Sequence, residues 1–358
     1  MFVPKTIALE IGSCNTKIAQ VKVSGSKIYV DRFAMIPTPP GTVDDGRIMD
    51  IPVMAENIME VLRTKKMRKK NAVITISGTS VITREVIMPK VKPKELHKMI
   101  MMESVQYFPV NIDNYVLDYK VLEEITNVKS SQYRVLLVAV PVAIIEGYVQ
   151  LAEACGLKVL SIDFAGNSIV KFMKNELMYD SKKEKKENEG AVAILDIGCK
   201  TTTVSILSKG IFQFNRILHY GSQDFTNMIA KNLDISFEKA DKLKIKKANI
   251  MYYDTELGIP ELVSVSKSIR TVLIDIVDDL SRFFDFYRSR STGNRIDRIY
   301  LVGGGSLIKG LDEYFEETFN IATERISEFN TVLYRGSYVE FYEVQPFFAN
   351  CLGAVLKK

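Results

Sequence analysis

Apolar and polar positions alternate with two distinct periods along this chain, and the switches between them predict its elements. Residues 8–11 run Ala-Leu-Glu-Ile and residues 194–197 run Ile-Leu-Asp-Ile. Each reads as a strand closed by an acid, then a turn of Gly and small polar residues, then a second strand at 18–23 or 204–207. Between them, residues 71–77, 83–88, 115–122, 133–140 and 158–164 have strand patterns. Residues 94–108 predict an amphipathic helix with Leu96, Met99, Ile100 and Val105 on one side, and 144–154 a second helix. The Met-rich stretch 99–102 reads as core. A helical pattern from 171 passes into the Lys/Glu run of 181–190, read as a solvated linker. The second half predicts helices at 224–233, 237–247 and 263–287. A strand leading into Gly303-Gly304-Gly305-Ser306 and a helix over 307–319 follow. The longest apolar run, 135–145, is broken by Pro141 and falls short of the ~20 residues a spanning helix needs.

The two acid-closed hairpins are an internal repeat. Aligned without a gap, they place Glu10 on Asp196, Ile11 on Ile197, Gly12 on Gly198 and Thr16 on Thr202. Two such hairpins, each opening one half of the chain, predict two related α/β units facing each other. The turn chemistry suits phosphate. Gly12 and Gly198 are expected to take positive φ and bring backbone N–H groups close to an anion. Ser13, Asn15, Thr201 and Thr202 add side-chain donors, and Lys17 and Lys200 point charges. Glu10 and Asp196 can hold a hydrated Mg²⁺ through water. One such turn is equally well an ordinary hairpin; two in register favour the anion. In the third glycine-rich element Ser306 is expected to cap the following helix. A dinucleotide fingerprint fits it poorly, because Ile308 stands where the third glycine belongs.

Composition narrows the classes. The 358 residues are 47% hydrophobic and 25% charged, a globular balance with cores in two or three units. Lys+Arg 48 against Asp+Glu 43 is a mild excess. Much of it sits in 181–190, so no nucleic-acid face is implied. Two His and no Trp leave little for a His-based metal site or a Ser-His relay. Four Cys without a CxxC, and an N-terminus interrupted by Lys5 and Glu10, predict reduced thiols in a cytosolic protein that meets membrane through partners.

Phosphate hairpin, second phosphate hairpin and late Gly-Gly-Gly turn, in that order, resemble the actin-like ATPase superfamily. Within it the chain is similar to the PilM family of type IV pilus assembly, relatives of the cell-division protein FtsA. The similarity is carried by Ser77-Gly78 with Arg84, Met88-Pro89, Glu95-Leu96, Glu103 and Tyr107-Phe108-Pro109. It continues through Leu117-Asp118-Tyr119, 135–140, 154–157, Ile162-Asp163, 219–226, 238–244 and 349–356.

The resemblance implies an α/β, actin-like ATPase fold: two ribonuclease-H-like lobes around a nucleotide cleft, with a small inserted α+β subdomain. Its expected bounds are 1–81 and 158–180 for the first lobe core, 82–157 for the insert and 181–190 for the linker. The second lobe would be 191–335, with an outer subdomain at 225–295, and 336–358 would return to the first lobe. The implied ligands are ATP and Mg²⁺. Gly12, Ser13, Asn15 and Lys17 would form one phosphate loop, and Gly198, Lys200, Thr201 and Thr202 the other. Asp241 and Lys244 would meet the adenosine, Gly303, Gly304, Gly305 and Ser306 its base and sugar side, and Glu10 and Asp196 the metal's water shell. Glu10 and Asp241 depart from the family's usual Asp and Glu, and Lys200 replaces a small residue, which implies ATP binding with slow or no hydrolysis. The implied partners are the N-terminal tail of the membrane protein PilN, gripped between first lobe and insert around 94–108 and 115–140, and the pilus motor ATPases. The implied place is the inner face of the cytoplasmic membrane. An FtsA-like polymer is the alternative, disfavoured by the absence of an amphipathic tail after Lys358. A small-molecule kinase is disfavoured because no catalytic base stands out near either loop.

Overall fold

The computed structural model describes residues 5–68, 70–108, 110–127, 130–184, 190–251, 260–290, 294–336 and 338–357. Its first half is built on an antiparallel series of β1 (Thr6–Ile11), β2 (Asn15–Ser24) and β3 (Lys27–Pro37). A ribbon of β4 (Val43–Asp44) and β5 (Arg47–Ile48) leads into α1 (Ile51–Thr64). Asp50 starts α1 by accepting the Val53 N–H at 3.0 Å, and Met54, Ala55, Ile58 and Val61 recur on its buried side. After this helical crossover β6 (Asn71–Ile76) lies parallel to β1.

Next comes a separate antiparallel sheet of β7 (Ile82–Pro89), β8 (Tyr115–Asn127) and β9 (Ser130–Pro141), with β9 central and α2 (Pro93–Tyr107) on one face. β9 is the long apolar run. Val135, Leu137 and Ala139 pack with Leu96 and Ile100 of α2, while Leu136 and Val140 join the first-half core. Burial on both faces explains its unbroken hydrophobicity. α2 covers the sheet with a narrower stripe than its pattern predicts. Leu96, Ile100 and Ser104 are buried at successive i+4 steps, and Val105 is 69% exposed one residue further round. Met102 is 83% exposed and Met101 also faces out, so within the stretch 99–102 only Met99 and Ile100 join the core.

Then α3 (Val142–Ala154), β10 (Lys158–Phe164), parallel to β6, and α4 (Ala165–Glu184) complete the half. α4 takes in residues 181–184 of the expected linker; residues 185–189 lie outside the described residues.

The second half repeats the opening series with β11 (Ala191–Ile197), β12 (Thr202–Ser208) and β13 (Ile211–Leu218). The repeat holds in register: Asp196 pairs with Thr203 where Glu10 pairs with Lys17. The Gly198 N–H donates to the Thr201 carbonyl at 2.9 Å, as Gly12 does to Asn15 at 3.1 Å. Helices α5 (Ser222–Leu233), α6 (Phe237–Lys247) and α7 (Pro260–Ser289) follow. α7 buries Val265, Ile269, Val272, Ile276, Leu280, Phe284 and Tyr287, a sustained helical stripe. β14 (Ile296–Val302) runs parallel to β11, and α8 (Leu311–Phe319) precedes β15 (Ala322–Arg325) at the sheet edge. The single helix expected over 307–319 is interrupted. A 3₁₀ turn spans Gly304–Leu307, and α8 begins only after Gly310, whose φ of 79° cannot continue a right-handed helix.

The chain then returns. β16 (Val332–Tyr334) pairs with β3, giving the first sheet the order β10-β6-β1-β2-β3-β16. After α9 (Tyr338–Tyr342), the short α10 (Ala349–Ala354) packs on α4. Gly353 permits that approach, since a Cβ there would collide with the Ser168 carbonyl. The Lys171 ammonium donates to the Ala354 and Leu356 carbonyls at 3.2 and 2.8 Å and closes the helix end. No helix among the described residues is long and apolar enough to cross a membrane.

Candidate functional site

The turns after β1 and β11 face each other across a crevice of about 530 Å³. The expected positions it brings together are Glu10, Gly12, Ser13, Asn15, Lys17, Asp196, Gly198, Lys200, Thr201, Asp241, Lys244, Gly303, Gly304 and Gly305. Thr202 and Ser306 are not on its wall. Thr202 is buried and donates to the Tyr220 carbonyl at 2.8 Å, and the buried Ser306 hydroxyl donates to the Gly303 carbonyl at 2.7 Å. Ser306 therefore sits inside the 3₁₀ turn instead of capping a helix.

Gly12 and Gly198 are not in the positive-φ region. Their requirement is close approach: a Cβ would come within 2.9 Å of the Asn15 carbonyl oxygen in one turn and of the Thr201 carbonyl oxygen in the other. Gly303 does have positive φ, 82°, and a Cβ there would collide with the Asp196 carboxylate.

The two acids are held differently. Glu10 forms an ion pair with Lys17 at 2.6 Å and accepts the Cys351 N–H at 3.1 Å. Asp196 accepts from the Asn350 side-chain amide at 2.5 Å. Adjacent residues of α10 thus reach across to one acid from each half. Burial pushes the Lys17 ammonium down, but the Glu10 carboxylate, with Asp196 beyond it, outweighs that and leaves its pKa raised. The Asp196 carboxyl is pushed up by desolvation and by Glu10, and only partly restored by Asn350 and Lys17. The Asn350 side-chain oxygen is buried without a hydrogen-bond partner.

Around the outer part of the crevice, Lys244 is a brace. Its ammonium donates to the Ser222 carbonyl at 2.9 Å and the Thr226 hydroxyl at 2.6 Å, and pairs with Asp241 at 2.8 Å. The first two N–H groups of α5 donate to the Gly198 and Cys199 carbonyls, so that helix anchors the second turn. Phe237, Ile245 and Leu307 present exposed apolar side chains to the same space.

Sequence reasoning missed Thr203, Asn350 and this apolar set. The repeat could have supplied Thr203, which occupies the place of Lys17 opposite the acid. Asn350 has no local signal; only the return of the chain brings it to Asp196. The expectation of four free thiols also fails. Cys14 and Cys199, one from each turn, are joined as a disulfide, while Cys155 and Cys351 are free.

Among the described residues no group of three or more His, Cys, Asp and Glu side chains converges on a metal-binding point. What the crevice offers a cation is the Asp196 carboxylate beside the unpartnered Asn350 oxygen, hard oxygen donors of the kind a hydrated divalent ion takes. A cation there would also remove the penalty that desolvation places on Asp196.

A family model described as type IV pilus assembly protein PilM matches residues 8–343. Among solved structures the chain is similar to one titled PilM-PilN type IV pilus biogenesis complex. The two share 25% identity over 98% of this chain and 97% of that one, with a TM-score of 0.81. It shares its fold with ethanolamine utilization protein EutJ from Carboxydothermus hydrogenoformans, at 14% identity over 99% and 90% of the two chains and a TM-score of 0.58. Among curated proteins it is similar to cell division protein FtsA of Bacillus subtilis (strain 168), 23% identical over 274 residues. That match takes in 69% of this chain and 59% of FtsA, so the chain spans less than two thirds of that relative. The architecture of two α/β lobes about a crevice is the actin-like ATPase fold.

Proposed function

The chain belongs to the type IV pilus assembly protein PilM family, and on that premise we propose that it is a nucleotide-binding scaffold that holds the N-terminal tail of PilN. The observation that carries the reading is its likeness, over almost the whole length of both chains, to a chain of the PilM–PilN complex. The tail would lie between the first lobe and the inserted sheet, along α2 and the strands β8 and β9. The scaffold would work at the cytoplasmic face of the membrane, reach the bilayer through PilN, and link onward to the motor ATPases.

The nucleotide would be ATP. Ser13, Asn15, Lys200 and Thr201 would hold phosphate oxygens from the two turns. Phe237, Ile245 and Leu307 give the outer crevice an apolar surface for the base, and Asp241, braced by Lys244, a carboxylate for the ribose. Asp196 and Asn350 would hold a Mg²⁺ ion through its water shell, and that ion would offset the phosphate charge. Lys17 balances Glu10 and keeps the base of the crevice near neutral. Thr202 and Ser306 shape the turns from behind the crevice wall, and the α5 N-terminus anchors the second turn. Such a site joins two lobes through one ligand, which suits a scaffold whose shape depends on nucleotide.

The test is calorimetry of a PilN tail peptide against the folded protein, with and without Mg·ATP. Saturable binding is expected, and its absence in both conditions would refute the scaffold reading. The FtsA likeness favours one second reading, a polymer. Light scattering that rises with ATP and protein concentration would support it.

A further inference from the structure

Cys14 and Cys199 have no part in the nucleotide reading, yet they occupy the tips of the two turns that would grip the phosphates. Their Cα atoms are 6.1 Å apart although 185 residues separate them in sequence. We propose that Cys14 and Cys199 are a reversible redox lock: their disulfide holds the two turns together and bars phosphate from the space between their tips, while the rest of the crevice stays open, and its reduction frees the turns. The inference rests on the nucleotide reading for what the lock excludes, but not for the lock itself.

Both sulfurs are carried by pinned backbone. The Cys14 carbonyl accepts the Thr38 N–H at 2.9 Å, and the Cys199 carbonyl accepts the Gln223 N–H at 2.8 Å. Each turn is further closed by its Gly12 or Gly198 hydrogen bond. The sulfurs thus meet without either turn unwinding, at a Cα spacing typical of a disulfide. A phosphate held by hydrogen bonds from both turns must lie between them, and the bonded sulfurs occupy that space at the tips. Both cysteines are part-exposed on the crevice wall, within reach of a small thiol reagent.

The other two cysteines do not compete. Burial raises the Cys155 thiol to about 11 and lifts the fully buried Cys351 well above its ordinary value, so neither supplies thiolate at neutral pH. In a reducing compartment a disulfide at a ligand site is transient and signals state, unlike a permanent staple.

The chemistry balances with a low-molecular-weight disulfide as oxidant. One protein thiolate attacks a sulfur of RSSR, forming a mixed disulfide and releasing RS⁻. The second protein thiolate attacks the protein sulfur of that intermediate, closing the Cys14–Cys199 bond and releasing the second RS⁻. The protein loses two electrons and two protons, and RSSR becomes two RSH. A small dithiol reverses the sequence.

The test treats the whole reduced protein with oxidised glutathione, with and without Mg·ATP, and reads free thiols, linked peptides by mass spectrometry, backbone hydrogen exchange and ATP affinity. The expected result is a fall from four thiols to two, a Cys14–Cys199 peptide pair, slowed exchange in both turns and at least tenfold weaker ATP binding, reversed by dithiothreitol. ATP should slow the oxidation, and Cys14→Ser should abolish the thiol loss. Failure to form the pair in a protein that binds ATP would overturn the lock and leave the nucleotide reading standing. A linked protein that binds ATP as tightly as the reduced one would also overturn it. Formation of the pair with slowed exchange, but no ATP binding in either state, would support the lock and remove the nucleotide reading instead.

Discussion

Asp196 concentrates the chemistry of the crevice in one carboxylate that burial and Glu10 push toward its protonated form. The sign of the consequence is fixed. A carboxyl whose pKa is higher folded than unfolded adds stability fully below its unfolded pKa, and that contribution is lost as pH rises through the folded value. Asp196→Asn should therefore raise the stability of the ligand-free protein at pH 7, by about 1 kcal/mol, and leave it unchanged in acid. Denaturant titrations at the two pH values check this; a loss of stability at pH 7 would contradict it. Gly303→Ala tests the neighbouring contact. Its φ of 82° and the collision with Asp196 should cost about 1–3 kcal/mol and shift the carboxylate, so both Tm and nucleotide affinity should fall. At this scale the sequence was readable where one turn explained the other. Gly12, Asn15, Gly198 and Thr201 stand on the crevice wall because two copies share one register. Thr202 and Ser306 were misplaced because a hydroxyl near a turn bonds a carbonyl as readily as a ligand, and sequence does not say which.

Among elements, α10 has an effect out of proportion to its six residues. It brings Asn350 to Asp196 and the Cys351 N–H to Glu10, and its seat on α4 depends on Gly353. Gly353→Ala should force the helices apart and cost about 1–3 kcal/mol, with nucleotide affinity falling as the contacts to both acids loosen. Asn350→Ala should weaken Mg²⁺-dependent binding with a much smaller change in Tm. Thermal melts and calorimetry on the pair separate position from contact. Element existence was readable wherever a period ran long, as in the α7 stripe from Val265 to Tyr287. It was misread where cover is thin or a single residue breaks a pattern. Val105 and Met102 lie outside the narrow strip of α2 that a three-stranded sheet can bury, and Gly310 splits an apparently continuous helix.

Across the whole molecule, the inserted sheet and the second half are tied by a polar cluster. Arg134 of β9 is buried, pairs with Glu123 at 2.6 Å and donates to the Gln213 side chain at 2.7 Å; Arg290 donates to Glu85 at 2.6 Å. Arg134→Ala would leave Glu123 without this partner and should cost about 2–3 kcal/mol by denaturant titration. If the nucleotide sets the angle between lobes, it should also reduce the effect of Mg·ATP on PilN-peptide affinity. None of this long-range pairing was visible in the sequence, since residues 85, 134, 213 and 290 share no local pattern. The lobes themselves were visible, because the repeat announces two like halves. Nucleotide binding requires those halves to hold one ligand between them. Calorimetric titration of the fully reduced protein with Mg·ATP, beside Asp196→Ala, tests that most directly. Saturable one-to-one binding that weakens at least tenfold in the variant is predicted; equal affinity in both proteins, or no binding by the native one, would contradict it.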